Sequence, residues 1–312
     1  MIVTVTPNPS LDRTLHLSAL APGAVNRAGR AMTEPSGKGV NVALALHGVG
    51  TPVRAVLPVG GPEGHEIVSR LTRLGLHTVG VPIGGTVRSN ISLVEADGRS
   101  TKVNELGPHL SDGEVDALCA AALSGDADWV LWAGSLPEGF APARLAAAVA
   151  DARARGHRVA VDASGAALAA VLAGRPQDVP HLVKPNADEL AEVLDVRLTT
   201  VGDVVAAAQE VLRRGVHTVL VSLGGDGAVL VDAELPEPLH GTAPARRVVN
   251  TIGAGDAFLA GYLAEPAGGA AGLAGALRFG ATAVEHEGTL LGPADPARPV
   301  HIGPARPDAG LR

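Results

Sequence analysis

From about residue 110 onward, strand-like and helix-like runs alternate with hardly a break. Residues 111–123 have helical spacing behind an acidic first turn, and 128–137 read as a strand and loop. A helix at 143–156 is followed by a strand at 157–164. A helix at 165–174 leads to a strand at 180–186, then helices at 187–194 and 201–215. Residues 217–232 read as a strand, a glycine turn and another strand. This rhythm defines βαβ units, and such units build a mostly parallel sheet with helices on both faces. A chain of 312 residues with 46% apolar and only 2% aromatic residues must fill that core with Ala, Val and Leu. We expect one three-layer α/β/α domain over 1–312.

The first third adds a strand at 1–6, a helix over 40–47, a strand ending in glycine near 60 and a helix over 65–75. Two segments break the rhythm. Residues 11–34 hold two short alternating runs around Pro22–Gly23, and 86–106 alternate around Ala96–Asp97–Gly98, a strong hairpin signal. They are expected to form a small projecting sheet, used as a lid over a cleft or as a dimer contact. The tail 293–312, rich in Pro and Ala, is expected to be loosely ordered.

Loops after parallel strands gather at the carboxyl edge of the sheet, where ligands bind. The polar loops of this chain fall at expected strand ends: PNPSLD (7–12), SGKGVN (36–41), GSLPEG (134–139), DASG (162–165), KPNADE (184–189), SLGGDG (222–227) and TIGAGD (251–256). A core needs no Asp, Lys or Asn there. The last loop follows a β-type run at 247–249 and opens a helix. Glycines at 253 and 255 let unpaired N–H groups converge on an anion, with the positive helix end behind them. Asp256 lies among them. At a helix start it is expected to be ionised, with a pKa near ~4. It is either an ordinary N-cap or a base beside an anion hole.

Net charge is −7 and rings are scarce, which argues against nucleic-acid and anionic-membrane partners. No segment reads as a membrane span or a signal peptide. Cys119 is alone, so neither a disulfide nor a zinc cluster can be built, and a reducing cytoplasm is the expected compartment. SGKGVN lacks the Ser or Thr and the upstream glycine of a Walker loop. SLGGDGA lacks the spacing of a dinucleotide fingerprint. The histidines show no metal-binding spacing.

Ten motifs in order resemble the ribokinase-like, PfkB-type sugar kinases, most of all bacterial 1-phosphofructokinases. They are TPNPSLDRT, PGAVNR, PSGKGVNVA, VGGPEG, VRSNISL, GSLPEG, DASG, KPNADEL, VSLGGDGA and NTIGAGDAFLAGY, covering residues 4 to about 290. The resemblance implies ATP- and Mg2+-dependent phosphorylation of D-fructose 1-phosphate at C6. Tagatose 6-phosphate and fructose 6-phosphate remain as alternative substrates. A non-catalytic sugar-phosphate-binding regulator on this scaffold should have lost the motifs that are present here. The resemblance implies Asp256 as base and Gly253, Ala254 and Gly255 as the anion hole. Asn186 and Glu189 would position the metal, through water. Lys184, Asn186, Ser222, Gly224, Gly225, Gly227 and Thr251 would line the nucleotide. Asp12, Asn41, Gly37, Gly39, Lys38, Arg27 and Arg88 would hold the sugar phosphate, with Lys102 and Ser135 as further candidates. Ala257–Phe258 and Pro35–Ser36 depart from the motifs usual in 1-phosphofructokinases and bear on which sugar is used. A homodimer through the lid is the expected assembly.

Overall fold

In the central strands, neighbouring residues face different apolar layers. Val3 and Val5 of β1 (Ile2–Val5) point into one core and Ile2 into the other. Val130 and Trp132 of β8 (Trp129–Ala133) join the first, and Leu131 and Ala133 the second. A strand with apolar residues on both faces belongs in the middle of a covered parallel sheet. The computed structural model, which describes residues 1–286, 288 and 294–311, has that sheet.

Its order is β14 (His301–Pro304), β13 (Leu239–Thr242), β12 (Ala228–Asp232), β11 (Thr218–Ser222), β10 (Leu182–Val183), β9 (Arg158–Asp162), β8, β1, β4 (Val53–Val59) and β5 (His77–Pro82). Pairing is parallel from β11 to β5 and antiparallel from β11 through β14. One core lies under α3 (Asp112–Ala122), α4 (Pro142–Ala154), α5 (Gly165–Leu172), α6 (Ala187–Leu194) and α7 (Val201–Arg213). The other lies under α1 (Lys38–Gly48), α2 (Gly61–Arg73), α8 (Ala254–Leu263) and α9 (Gly269–Ala283). Helices α8 and α9 cross so closely that a Cβ on Gly261 would sit 2.4 Å from the Gly275 carbonyl oxygen.

A second sheet of four strands has the order β3 (Arg30–Ser36), β2 (Ser10–Leu17), β6 (Arg88–Glu95), β7 (Ser100–Asn104). β2 and β6 run parallel, each flanked by its antiparallel hairpin partner.

Three expectations need correction. The tail is not loose over its described part: β14 pairs with β13, the Val201 N–H donates to the Ala309 carbonyl, and the Leu311 N–H to Thr199. The open edge of β13 needs partners, a demand that a Pro- and Ala-rich composition does not reveal. Residues 293 and 312 lie outside the described residues. Residues 247–249 are not a strand; Val248 is exposed, and the N–H groups of Val249 and Asn250 both reach the Val284 carbonyl. Consequently five of the seven polar loops follow strands of the parallel run. Loop 36–41 follows β3 of the small sheet, and loop 251–256 follows irregular chain.

Candidate active site

Helix α8 begins at Ala254, with Gly253 as its N-cap in the left-handed region at φ 75° and no side-chain cap. Asp256 is therefore the third residue of the helix, not its cap. Its carboxylate turns inward, and the whole residue is only 7% exposed. Asn41 of α1 donates from Nδ2 to Oδ2 of Asp256 at 2.7 Å. Burial, and next the charge of Asp162, push the Asp256 carboxyl up to about 7; the Asn41 hydrogen bond, Lys38 and Lys184 pull it down. The expectation of an ordinary aspartate near ~4 fails because burial and the nearby Asp162 charge outweigh what the helix start, Asn41 and the lysines do for the anion. Among the described residues, the N–H groups of Gly255 and Asp256 have no backbone acceptor, so both stay available to an anion.

Below these groups lies a charge cluster that sequence reading did not assemble. Asp162, at the end of β9, has a side chain closed to solvent. It sits between Lys38, at 2.9 Å, and Lys184, at 3.4 Å. Lys38 also stands 3.8 Å from Glu189. Burial alone would lower the Lys38 ammonium, but Asp162, Glu189 and Asp256 outweigh it and hold Lys38 well above its usual value. Lys184 is 4% exposed, and its Nζ lies 3.6 Å from where a Cβ on Gly255 would be. A fixed positive charge thus borders the helix start. Asp162 was visible only as the strand-end acid of DASG.

Beside this centre a cavity of about 500 Å³ is lined by Ser222, Gly224, Gly225, Gly227 and Thr251, together with Ala254 and Gly255. Sequence reading missed its apolar wall, which includes Val248, Phe258, Leu277, Ala281 and Val284. Phe258 packs its Cβ against Gly280 and lines this cavity. Of the Ala257–Phe258 departure, Phe258 therefore faces this cavity, while Ala257 is buried. The wall segment 243–248 is tied down by Arg298, which is 4% exposed. Its guanidinium donates to the Pro244 carbonyl at 2.8 Å and to Glu285 at 2.6 and 3.0 Å.

Toward the small sheet, the expected sugar ligands are only partly brought together. Asp12 accepts from Ser10 Oγ at 2.6 Å and from Asn90 Nδ2 at 2.9 Å. Arg88 donates to the carbonyls of Asn8 at 3.1 Å and Glu105 at 3.2 Å, bracing the roots of the sheet. Asn8 Nδ2 donates to the Leu106 carbonyl and to Ser135 Oγ. Arg27 and Lys102 are exposed, on the 18–29 loop and on β7. Gly37 and Gly39 serve packing: a Cβ on Gly39 would fall 2.4 Å from Thr6 Oγ1, so they let α1 close on β1.

Asn186 and Glu189 form a capping box at the start of α6, each accepting the other's backbone N–H. That leaves Glu189 Oε1, beside Lys38, as the open carboxylate oxygen. One such oxygen is too little for an all-protein cage. It suits a hard cation held mainly by other oxygens and water.

Free helix-start N–H groups, a buried carboxyl beside them and a glycine-walled cavity make up a phosphoryl-transfer site. The model of the pfkB family carbohydrate kinases matches residues 6–293, and the chain belongs to that family. It is thus a carbohydrate kinase, a phosphotransferase. Similar relatives include the 1-phosphofructokinases of Vibrio cholerae, 34% identical over 83% of this chain and 81% of that one. That of Haloferax volcanii is 38% identical over 85% and 83%. Among solved structures, phosphofructokinase-2 from Escherichia coli in complex with potassium superposes with a TM-score of 0.84 at 32% identity, covering 94% of this chain and 95% of the other. The fold is ribokinase-like. No helix among the described residues is long and apolar enough to cross a membrane.

Proposed function

We propose that the chain transfers the terminal phosphoryl group of ATP to the C6 hydroxyl of D-fructose 1-phosphate, giving fructose 1,6-bisphosphate. The observation that carries this reading is Asp256, buried and oriented by Asn41, beside two free N–H groups. The relatives named 1-phosphofructokinase support the choice of sugar. The nucleotide fills the cavity between Ser222–Gly227 and α9, with its rings against Phe258, Leu277 and Val284. Its last phosphate reaches the N–H groups of Gly255 and Asp256, with Lys184 alongside. Asp256 accepts the hydroxyl proton. With a pKa near 7 it does so readily at neutral pH, more readily than an ordinary aspartate. Glu189 Oε1 would hold Mg2+ on the phosphates through water, and the metal would offset their charge.

On the sugar side, Asp12 and Asn90 meet the hydroxyls. Lys38, Arg88, Arg27 and Lys102 supply positive charge for the sugar's phosphate, the last two once the small sheet folds over the cleft. The exposed Val103 and Leu106 suit that sheet to a homodimer contact. A cytoplasmic location fits the single cysteine.

Fructose 6-phosphate is the second reading, since an Escherichia coli phosphofructokinase-2 solved with that sugar superposes with a TM-score of 0.81 at 33% identity, over 90% of this chain and 91% of the other. A coupled ADP-release assay over fructose 1-phosphate, fructose 6-phosphate and tagatose 6-phosphate separates the two. The proposal requires the highest kcat/KM on fructose 1-phosphate.

A further inference from the structure

Across the sheet from the catalytic centre, at its amino edge, lies a cavity of about 380 Å³. Arg153, Gly156, His157, Gln177, Asp178 and His181 wall it. Its hydrogen bonds do not balance. The Val159 N–H donates to His181 Nδ1 at 3.0 Å, so a neutral ring must carry its proton on Nε2. The ring is neutral, because burial, and then the charges of Arg153, Arg158 and His217, push its pKa down to about 4. Yet Nε2 faces NH1 of Arg153, and a guanidinium can only donate. Two donors meet with no acceptor between them.

Among the described residues, no surrounding group accepts from either of these two N–H groups. Arg153 Nε already donates to the Gln177 carbonyl at 3.2 Å. Asp178, the carboxylate in the wall, gives one oxygen to Arg175 at 2.6 Å, and its charge also favours the Arg153 cation without bonding to NH1. The His157 ring contacts the Ala127 carbonyl through Nδ1. Of the closing carbonyls of α4, those of Asp151, Ala152 and Arg153 accept from Arg155, His157 and Gly156, which leaves that of Ala154 as the open one at the cavity wall.

We propose that this cavity binds a small oxyanion, phosphate or carboxylate, which accepts from both Arg153 NH1 and the His181 Nε2–H. The volume admits a small metabolite bearing such a group. The site is separate from the catalytic one: three residues along the chain join His181 to Lys184, and three along β9 join Val159 to Asp162, roughly 10 Å through the sheet in each case.

The test titrates inorganic phosphate, and in a parallel arm acetate, into enzyme saturated with ADP and fructose 1-phosphate. Binding is followed by calorimetry and by the imidazole nitrogen resonances of labelled protein. Saturable binding that moves the His181 resonance, and that weakens about tenfold or more in Arg153→Met, is the expected result. A stronger phosphate arm assigns a phosphate-bearing ligand, and a stronger acetate arm a carboxylate. An unmoved His181 resonance in both arms, or equal affinity in a folded Arg153→Met protein, overturns the proposal. If that variant does not fold, the His181 resonance of the wild-type protein decides.

Discussion

The side of the cleft proposed for the nucleotide is walled largely by backbone and apolar surface, from Gly224 and Gly225 to Leu277 and Ala281, and it stands ready as a cavity. The side proposed for the sugar is walled by charge, and most of its polar groups are engaged with one another. Asp12 is bonded to Ser10 and Asn90, Arg88 to two carbonyls, and Arg27 and Lys102 point into solvent. A substrate entering the first side displaces water. One entering the second must exchange existing hydrogen bonds and draw in side chains from the small sheet. On that assignment, selectivity for the sugar would depend on rearrangement, whereas nucleotide affinity would depend on a wall already in place.

Asp256 stands where the two sides meet, so its loss should spare both. Asp256→Asn is expected to cut kcat by ~10²–10⁴-fold with both KM values within a few-fold of wild type. Near-normal turnover would remove Asp256 as the base. Arg298→Met strikes the nucleotide side alone. Loosening the Pro244 loop costs about one charge-assisted hydrogen bond, so KM for ATP should rise roughly tenfold with KM for the sugar unchanged. Equal rises in both would mean that the two sides are not independent.

Arg27→Ala and Lys102→Ala strike the sugar side alone. Each should raise the sugar-phosphate KM about 3–5-fold without moving the melting temperature, since both residues are exposed. An unchanged KM would take that residue out of the site. The smallest effect is in pH. Turnover should rise through an inflection near 7 as Asp256 loses its proton, and Lys184→Met should move that inflection upward because a cation that lowers the pKa is gone. Stability runs the other way. The raised folded pKa means that protonated Asp256 favours the fold fully below its unfolded value of 3.8, and this contribution is lost as pH rises through about 7. Asp256→Asn should therefore gain melting temperature over wild type at pH above 7 and lose that advantage in acid. An equal difference at both pH values would refute the assignment.

Much of the nucleotide side could be read from sequence because glycine-rich turns and a helix start are local signals. Ser222–Gly227 and Gly253–Asp256 needed no knowledge of what lies opposite. The Asn41–Asp256 bond joins residues 215 apart, and no spacing rule reaches that far. Asp162 looked like one strand-end acid among several until β9 placed it between Lys38 and Lys184. The apolar wall on α9 read as ordinary core, since a residue facing a ligand ring and one facing a neighbouring helix have the same composition. The Asp256 pKa was misjudged because burial belongs to the packed structure and has no local sequence signal.

The near-contact of Gly261 and Gly275 leaves α8 and α9 no room to slide. Asp256 and the α9 part of the cavity wall are thereby held together, and on the proposed function ATP would be presented to Asp256 whether or not a sugar had arrived. Idle hydrolysis by a stray water would follow if that carboxylate were always charged. With a pKa about 7, close to half of the molecules hold the proton at neutrality. Half protonation restrains that side reaction only about twofold, so on the proposed function protection of ATP rests mainly on what reaches the carboxylate first, sugar or water.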